Sequence, residues 1–230
     1  MRYHRFIGNF DLSKKTIEVT DLSLISQWHS VLRLKTADTV ILCDGNGHES
    51  EATIVNMEKK VTTLSIVDTK NIIRGTQKNV TLYVSILKRE NFEIVVQKAT
   101  EIGITKIVPL LTERTVKTGF NEIRFKKIIL EASEQSGRTV LATISEPIKF
   151  AEAIQSANPK ETVLFDISGS EFKSSSFPST LNLFVGPEGG FGDKEVSLAK
   201  DHGCTIASLG ELVLRAETAA IVVSYLSCNN

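Results

Sequence analysis

The sequence predicts an α/β protein with a mostly parallel sheet, preceded by a small β-rich segment. Two apolar runs, "VTLYVSIL" from Val80 and "LNLFV" from Leu181, are nearly continuous, as in strands that helices cover on both faces. Segments with helical periodicity lie between runs of this kind. Strand and helix therefore alternate from about residue 80 onwards, which is typical of a parallel sheet.

The first 70 or so residues favour β-structure. Strand-like runs occupy Val40–Cys43, Ala52–Met57 and Val61–Val67. Between the first two, "DGNG" at Asp44–Gly47 supplies residues that tolerate the positive φ angles of a tight hairpin. The preceding stretch "DLSLISQWHSVLRLK" has helical spacing. We predict a small barrel with one helix.

A polar stretch with turn residues, "TKNIIRGTQKN", marks the boundary between a domain at 1–72 and a domain at 73–230. The strands predicted for the second domain are Thr81–Leu87, Lys106–Leu111, Thr162–Asp166, Leu181–Val185 and Thr205–Leu209. The helices predicted for it are Phe92–Ile102, Glu122–Ser136, Lys194–His202 and Ala216–Ser227. We expect Asn91 to cap the start of the first helix and Gly103 to follow its end.

Composition is that of an ordinary globular protein. The 230 residues carry 27 basic and 27 acidic side chains, a net charge of zero, so binding to a polyanion would need a local basic face. Cys43, Cys204 and Cys228 form neither a C-x-x-C pair nor a His/Cys cluster, and we expect reduced thiols and no metal. No apolar run approaches the roughly 18 residues of a membrane helix, and a signal peptide is missing. We expect a cytoplasmic protein with no membrane partner.

A glycine-rich loop, "GPEGGFG" at Gly186–Gly192, directly follows a predicted strand. Ligands of open α/β sheets bind beyond the carboxyl ends of the strands, and glycine lets a ligand approach the main chain. Asp193 and Glu195 open the next helix, where carboxylates would repel a phosphate. The Gly-Lys-Ser/Thr of a phosphate-binding loop is also missing, which disfavours a phosphate-handling enzyme. A glycine-rich turn without a ligand stays open.

A second stretch, "SLGELVLRAETAA" at Ser208–Ala220, also leaves a strand and enters a helix. Its connecting part carries Leu209, Leu212, Val213 and Leu214, where a loop is usually polar. These aliphatic side chains favour contact with something flat and apolar. Together the two loops would suit a neutral purine ring.

The two stretches together resemble the SPOUT class of S-adenosylmethionine-dependent RNA methyltransferases, most closely the branch that methylates N3 of a uridine in 16S ribosomal RNA. The segments "QKATEIGITKIVPLLTERT" and "EASEQSGR" support this resemblance, which covers nearly the whole chain. It implies a PUA-like β-barrel RNA-binding domain followed by a SPOUT α/β domain. The SPOUT domain would contain a trefoil knot, and the knot and cofactor site would span about 162–220. It also implies a homodimer that acts on 16S rRNA in the 30S subunit, with S-adenosylmethionine as cofactor.

Carried over position by position, the resemblance assigns the cofactor site to Gly186, Pro187, Glu188, Gly189, Gly190, Leu209, Gly210, Leu212 and Leu214. RNA contacts are expected at Arg138, Arg114, Gln135 and Arg5. One departure is Ala216, where the family pattern has threonine.

For catalysis, our hypothesis is that Arg215 stabilises the uracil anion and that Glu217 removes the proton or orients Arg215. A first-turn carboxylate that favours the helix dipole explains Glu217 equally well. A non-catalytic RNA-binding or ribosome-assembly protein that kept the fold is the alternative function.

Overall fold

The computed structural model describes residues 3–74, 78–115, 119–173 and 179–229. Within them the chain forms two compact units, each with a sheet of its own. Every strand pair of the larger sheet is parallel, so the predicted α/β class is confirmed. No helix in these residues is both long and apolar enough to cross a membrane.

The first unit comprises Met1–Arg74 together with the short segment Ser133–Leu141. Its elements are β1 (Arg5–Ile7), β2 (Thr16–Val19), α1 (Leu22–Ser26), β3 (Thr39–Cys43), β4 (His48–Met57) and β5 (Thr62–Asn71). The strand order is β1-β3-β4-β5-β2; β1 and β3 are parallel and the other pairs antiparallel. The three predicted strands correspond to β3, β4 and β5, whereas β1 and β2 are too short to show an alternating pattern.

The core of the first unit is centred on its single tryptophan. Helix α1 continues as a π-helical turn over Gln27–Val31, and this turn places Trp28 in the interior, where it is fully buried. Its ring packs against Phe6 with the ring centroids 5.0 Å apart. Leu42 and Ile54 from the sheet belong to the same cluster. Burial of these large side chains supplies most of the driving force for folding of the unit.

The predicted turn between β3 and β4 is present. Gly45 and Gly47 have φ angles of 77° and 103°, which residues with a side chain rarely adopt. The Asp44 carboxylate accepts hydrogen bonds from the backbone N–H groups of Asn46 and His48, at 2.8 and 3.1 Å. The turn is therefore fixed by its own side chain as well as by its glycines.

A buried carboxylate joins three parts of the first unit. Glu49 is only 7% exposed and accepts two hydrogen bonds from Arg74, both 2.7 Å long. Arg5 donates to the same carboxylate and also to Cys43 Sγ. Burial alone would raise the pKa of Glu49, but the two guanidinium groups outweigh it and hold that pKa below its usual value. The ionised carboxylate thus links β1, β4 and the end of the unit at Arg74.

The second unit comprises Gly75–Ala132 together with Ala142–Asn230. Its strands are β6 (Asn79–Ser85), β7 (Lys106–Leu111), β8 (Thr143–Ile144), β9 (Ile148–Lys149), β10 (Thr162–Glu171), β11 (Thr180–Val185) and β12 (Thr205–Ser208). Its helices are α2 (Arg89–Ile102), α3 (Glu122–Ser136, whose last residues belong to the first unit), α4 (Phe150–Ser156), α5 (Asp193–Asp201) and α6 (Ala216–Cys228). The strand order is β12-β10-β11-β6-β7-β8, and β9 also pairs with β7.

The centre of the larger sheet is apolar, as the continuous runs predict. Leu82, Val84 and Leu183 are fully buried. The Phe184 ring on β11 stacks on Tyr83 of β6 with the ring centroids 4.3 Å apart. Strand β11 lies between β6 and β10 in the strand order. It therefore has a paired strand on each side. At the end of β11, Val185 pairs with Phe165 of β10 and with Val84 of β6.

Strand β10 is longer than predicted. It extends from Thr162 to Glu171, whereas the sequence favoured a strand that ends at Asp166 and a serine-rich loop after it. Beyond Phe165 the strand is irregular, because both Phe165 and Ser170 pair with Ala207 of β12. The backbone of β12 is so close that a Cβ on Gly169 would lie 2.5 Å from it. Ser168 and Ser170 belong to this irregular part, whereas residues 174–178 of the predicted serine-rich loop lie outside the described residues.

The ends of α2 test two predictions about helix caps. Gly103 ends the helix with a φ angle of 122°, as predicted. The prediction of Asn91 as the N-cap is wrong, because the helix begins at Arg89 and Lys88 is the N-cap, with no capping hydrogen bond from its side chain. Helix α4 was not predicted, since its seven residues span too few turns to show a period.

Replacement of Glu49 by glutamine is expected to lower the free energy of unfolding at pH 7 by about 3 kcal/mol, because Arg5 would stay buried without its counter-charge. Urea denaturation followed by Trp28 fluorescence measures this, since Trp28 lies in the same unit. The folded-state pKa of Glu49 is lowered from 4.5, so the stabilisation is present above that value and is lost as the pH falls through the lowered pKa. Wild type and E49Q should converge in acid.

The matched control is Glu51→Gln on the same strand, where the side chain is exposed. It should change the stability by less than about 0.5 kcal/mol. Equal stabilities of wild type and E49Q at pH 7, or a loss in E51Q as large as in E49Q, would contradict this role of Glu49.

Candidate functional site

A pocket lies at the carboxyl ends of β10, β11 and β12. The space between its walls, with its open mouth included, is about 660 Å³. Its walls consist of Phe165–Ile167, Val185–Glu188, Gly190, Ala207–Gly210, Leu212–Leu214, Ala216 and Ala219. The three strands are neighbours and parallel, so their carboxyl ends share one edge of the sheet. The pocket is where open α/β sheets bind their ligands.

The glycine-rich loop forms the first wall. Gly186 and Pro187 are buried, and a Cβ on Gly186 would lie 3.1 Å from the backbone nitrogen of Phe191. The loop turns back on itself at Gly190, whose φ angle is +69° and whose N–H donates to the carbonyl of Pro187 at 2.9 Å. Phe191 is 4% exposed and anchors the far end of the loop. Glycine is thus required here for both close packing and backbone conformation.

The second wall is the loop between β12 and α6. Gly210 has a φ angle of +119°, and the Ser208 hydroxyl bonds both to its N–H and to its carbonyl. Leu212 and Val213 are 82% and 79% exposed, although both are aliphatic. Apolar side chains this exposed at the rim of a pocket indicate a surface that a ligand or partner covers.

The structure brings together eight of the nine residues predicted for the cofactor site, all except Gly189. Gly189 lies on the outer side of the glycine-rich loop, where its carbonyl accepts a hydrogen bond from Arg114 at 2.6 Å. Arg114 is therefore held against this loop.

Further lining residues were not predicted. Phe165, Asp166 and Ile167 come from β10, and Ala216 and Ala219 from α6. The apolar run that ends at Asp166 could have indicated that this residue lines the site, because it marks the carboxyl end of a strand. What the sequence could not give is that β10 lies between β11 and β12, which brings this end to the pocket.

The charges of the pocket are negative. Asp166 and Glu188 are the ionisable residues among the lining positions of the described chain, and no lysine, arginine or histidine lines it there. Asp166 Oδ1 already accepts hydrogen bonds from the backbone and the hydroxyl of Ser168, at 2.9 and 2.6 Å. A phosphate would meet two carboxylates without a cation, whereas a neutral or cationic ligand would be favoured. No group of residues that could hold a metal ion exists in the described ranges.

The two candidate catalytic residues stand at the start of α6, next to the pocket wall. Arg215 is the N-cap; its carbonyl accepts the N–H of Ala219 at 2.8 Å, and its side chain is exposed and makes no capping bond. Glu217 lies in the first turn. Its Oε2 atom is buried and has no hydrogen-bond partner among the described residues. A buried, unpaired carboxylate oxygen is costly, so the site retains an acceptor that the fold does not use.

Three of the residues predicted to contact RNA lie in the first unit. The Arg5 side chain is 15% exposed and bonded to Glu49. Arg138 is 8% exposed, and its Nε donates to the carbonyl of Val140. Gln135 near the end of α3 is exposed. The two arginines are thus largely enclosed by the unit's own structure, and Gln135 is the accessible member of the three.

Comparison with known proteins identifies the family. A family described as an RNA methyltransferase domain matches residues 75–227. Ribosomal RNA small subunit methyltransferase E of Synechocystis is 33% identical over 96% of this chain and 76% of its own length. That of Rickettsia conorii is 33% identical over 96% and 93%.

The chain belongs to the ribosomal RNA small subunit methyltransferase E family. A crystal structure of a methyltransferase E from Neisseria gonorrhoeae, bound to S-adenosyl methionine, superposes with a TM-score of 0.88 at 26% identity. The alignment covers 97% of this chain and 95% of that one. A Legionella pneumophila protein solved in complex with S-adenosyl methionine also reaches 0.88, at 27% identity, with 99% and 97% covered. The family identified from the two loop motifs is therefore confirmed.

Proposed function

We propose that the chain transfers the methyl group of S-adenosylmethionine to N3 of a uridine in the 16S rRNA of the small ribosomal subunit. The observation that carries the proposal is the pocket at the ends of β10, β11 and β12, walled by a glycine-rich and an aliphatic loop. It occurs in a chain of the methyltransferase E family, and relatives of this family are named for action on small-subunit rRNA.

The pocket has the chemistry that this cofactor needs. Leu209, Leu212 and Leu214 offer aliphatic surface for an adenine ring, and the glycine-rich loop offers backbone groups for its polar edge. The carboxylates of Asp166 and Glu188 suit a ligand that carries a sulfonium and an ammonium group. When bound, the cofactor supplies a methyl group on a positively charged sulfur atom.

Arg215 and Glu217 would act on the uridine. N3 of uridine is a weak acid, and only its anion attacks a methyl group well, so a proton must leave and the negative charge must be stabilised. The exposed Arg215 guanidinium is free of a capping role and would stabilise charge on the uracil oxygens. The unpaired Oε2 of Glu217 would accept the N3 proton or orient Arg215.

The larger assembly follows the same proposal. The 1–72 domain would be PUA-like and would bind RNA, with Gln135, Arg138 and Arg5 close to the contact surface, and the 73–230 domain would be the SPOUT domain.

Strand β12 pairs with β10 rather than with β11, so the chain crosses back before it enters α6, as a trefoil knot would require. The chain would form a homodimer, as the family resemblance implies. The protein would act on the 30S subunit in the cytoplasm.

The direct test is transfer of labelled methyl from S-adenosylmethionine to 30S subunits that lack the modification, with the product nucleoside identified by mass spectrometry. We expect 3-methyluridine in 16S rRNA and no label in 50S subunits, which serve as the control. A different methylated nucleoside would overturn the substrate. No transfer to 30S subunits or to free rRNA, despite cofactor binding, would favour the RNA-binding alternative.

Replacement of Arg215 by alanine is expected to lower kcat by about 100-fold, the typical effect of removing one donor to a developing anion. The affinity for S-adenosylmethionine should stay within about twofold, because Arg215 is not among the lining residues. Single-turnover methylation and calorimetry measure the two quantities. The control Arg89→Ala removes an exposed arginine of the same unit, which forms an ion pair with Glu93 at 3.3 Å. Near-normal turnover of R215A would refute the role of Arg215.

A further inference from the structure

The loop that follows β7 is fastened to the glycine-rich loop of the pocket. The Arg114 guanidinium donates to the carbonyl of Gly189 at 2.6 Å. The Glu195 carboxylate accepts the N–H of Glu113 at 3.0 Å and the N–H of Gly192 at 2.8 Å. Two of these hydrogen bonds join segments 75 and 82 residues apart in the chain, and the third ties Glu195 to the end of the glycine-rich loop at Gly192. All of these residues belong to the second unit.

The loop after β7 is itself held in place. Thr115 Oγ1 accepts the N–H of Thr112 at 2.8 Å and lies 2.8 Å from Thr112 Oγ1. The same hydroxyl bonds to Ser85 at 2.8 Å, and Ser85 is fully buried at the end of β6. Because the hydroxyl network ties the loop to the sheet, Arg114 extends from a fixed base rather than from a free loop.

The glycine-rich loop needs such support at its outer side. Its inner residues, Gly186 and Pro187, are buried, but Glu188 and Gly189 are exposed. Glycine loses more conformational freedom on ordering than any other residue, so this part of the loop would otherwise sample many conformations. A Cβ on Gly192 would lie 2.5 Å from Glu113 Oε2, which shows how closely the two loops approach.

We infer that Arg114 and Glu195 are positioning residues that hold the glycine-rich loop in its ligand-binding conformation, and that Arg114 is not an RNA contact. The identity of the bound molecule, S-adenosylmethionine, rests on the proposed function. Glu195 does more than cap its helix: one oxygen accepts the nearby Gly192 N–H, and the other accepts an N–H from the loop after β7. Arg114 supplies the remaining link through Gly189.

The test compares R114A and R114K with wild type by calorimetry with S-adenosylmethionine and by filter binding of 16S rRNA. In R114A the cofactor affinity should fall on the order of fivefold, the effect of one charge-assisted hydrogen bond at an exposed position. RNA affinity should not change. Lysine can donate to the same carbonyl, so R114K should recover part of the loss. In turnover, R114A should raise the KM for the cofactor and leave kcat unchanged. R89A is the control for loss of an exposed charge.

A second measurement does not depend on the ligand. Hydrogen exchange of the free protein should show faster exchange at the amides of Gly190 and Gly192 in R114A and in Glu195→Gln, which removes one carboxylate acceptor. Amides in the first unit should exchange as in wild type. If wild type binds no cofactor, the proposed function fails, while the exchange data still decide whether the two residues hold the loop.

Two results would overturn the inference. In the first, R114A binds the cofactor as wild type does and loses RNA affinity, which would make Arg114 an RNA contact. In the second, the exchange of Gly190 and Gly192 is the same in R114A, E195Q and wild type, which would mean that the hydrogen bonds do not hold the loop.

Discussion

The site depends on one constraint, the parallel pairing of β10 with both β11 and β12. Parallel neighbours end at the same edge of a sheet, so this pairing brings together two loops that are separated in the chain by all of α5. Had β12 paired antiparallel to β10, the aliphatic loop would leave from the opposite edge. The backbone contact at Gly169, where a Cβ would clash with β12, shows how tightly this pairing is made.

The two loops contribute different groups to the pocket. The glycine-rich loop exposes main-chain groups and folds sharply, which needs the φ angle of +69° at Gly190. The second loop offers aliphatic side chains, with Leu212 82% exposed. In the described chain no cationic side chain lines the pocket, whereas the carboxylates of Asp166 and Glu188 do. These charges disfavour binding of a phosphate. The aliphatic wall therefore favours a ligand with an apolar part, and the carboxylates favour a ligand that is neutral or cationic.

Some of this could be predicted from the sequence, and the limits have physical causes. The apolar runs of β6 and β11 and the helix end at Gly103 are local signals, and they were predicted correctly. The wall supplied by Asp166 was missed, because strand order depends on contacts between distant residues. The family resemblance and the chemistry of a guanidinium led to the expectation that Arg138 contacts RNA. In the structure its side chain is 8% exposed and its Nε donates to the carbonyl of Val140, and the RNA contact stays a prediction. A guanidinium suits a phosphate and a backbone carbonyl equally well, so sequence alone cannot distinguish the two.

We propose that the edge formed by β10, β11 and β12 holds S-adenosylmethionine. A crystal structure of the chain with S-adenosylhomocysteine, the product form of the cofactor, tests it most directly. We expect the adenosyl group between the glycine-rich loop at Gly186–Gly192 and the aliphatic loop at Leu209–Leu214. The nucleoside bound at any other place on the molecule, with this pocket empty, would contradict it.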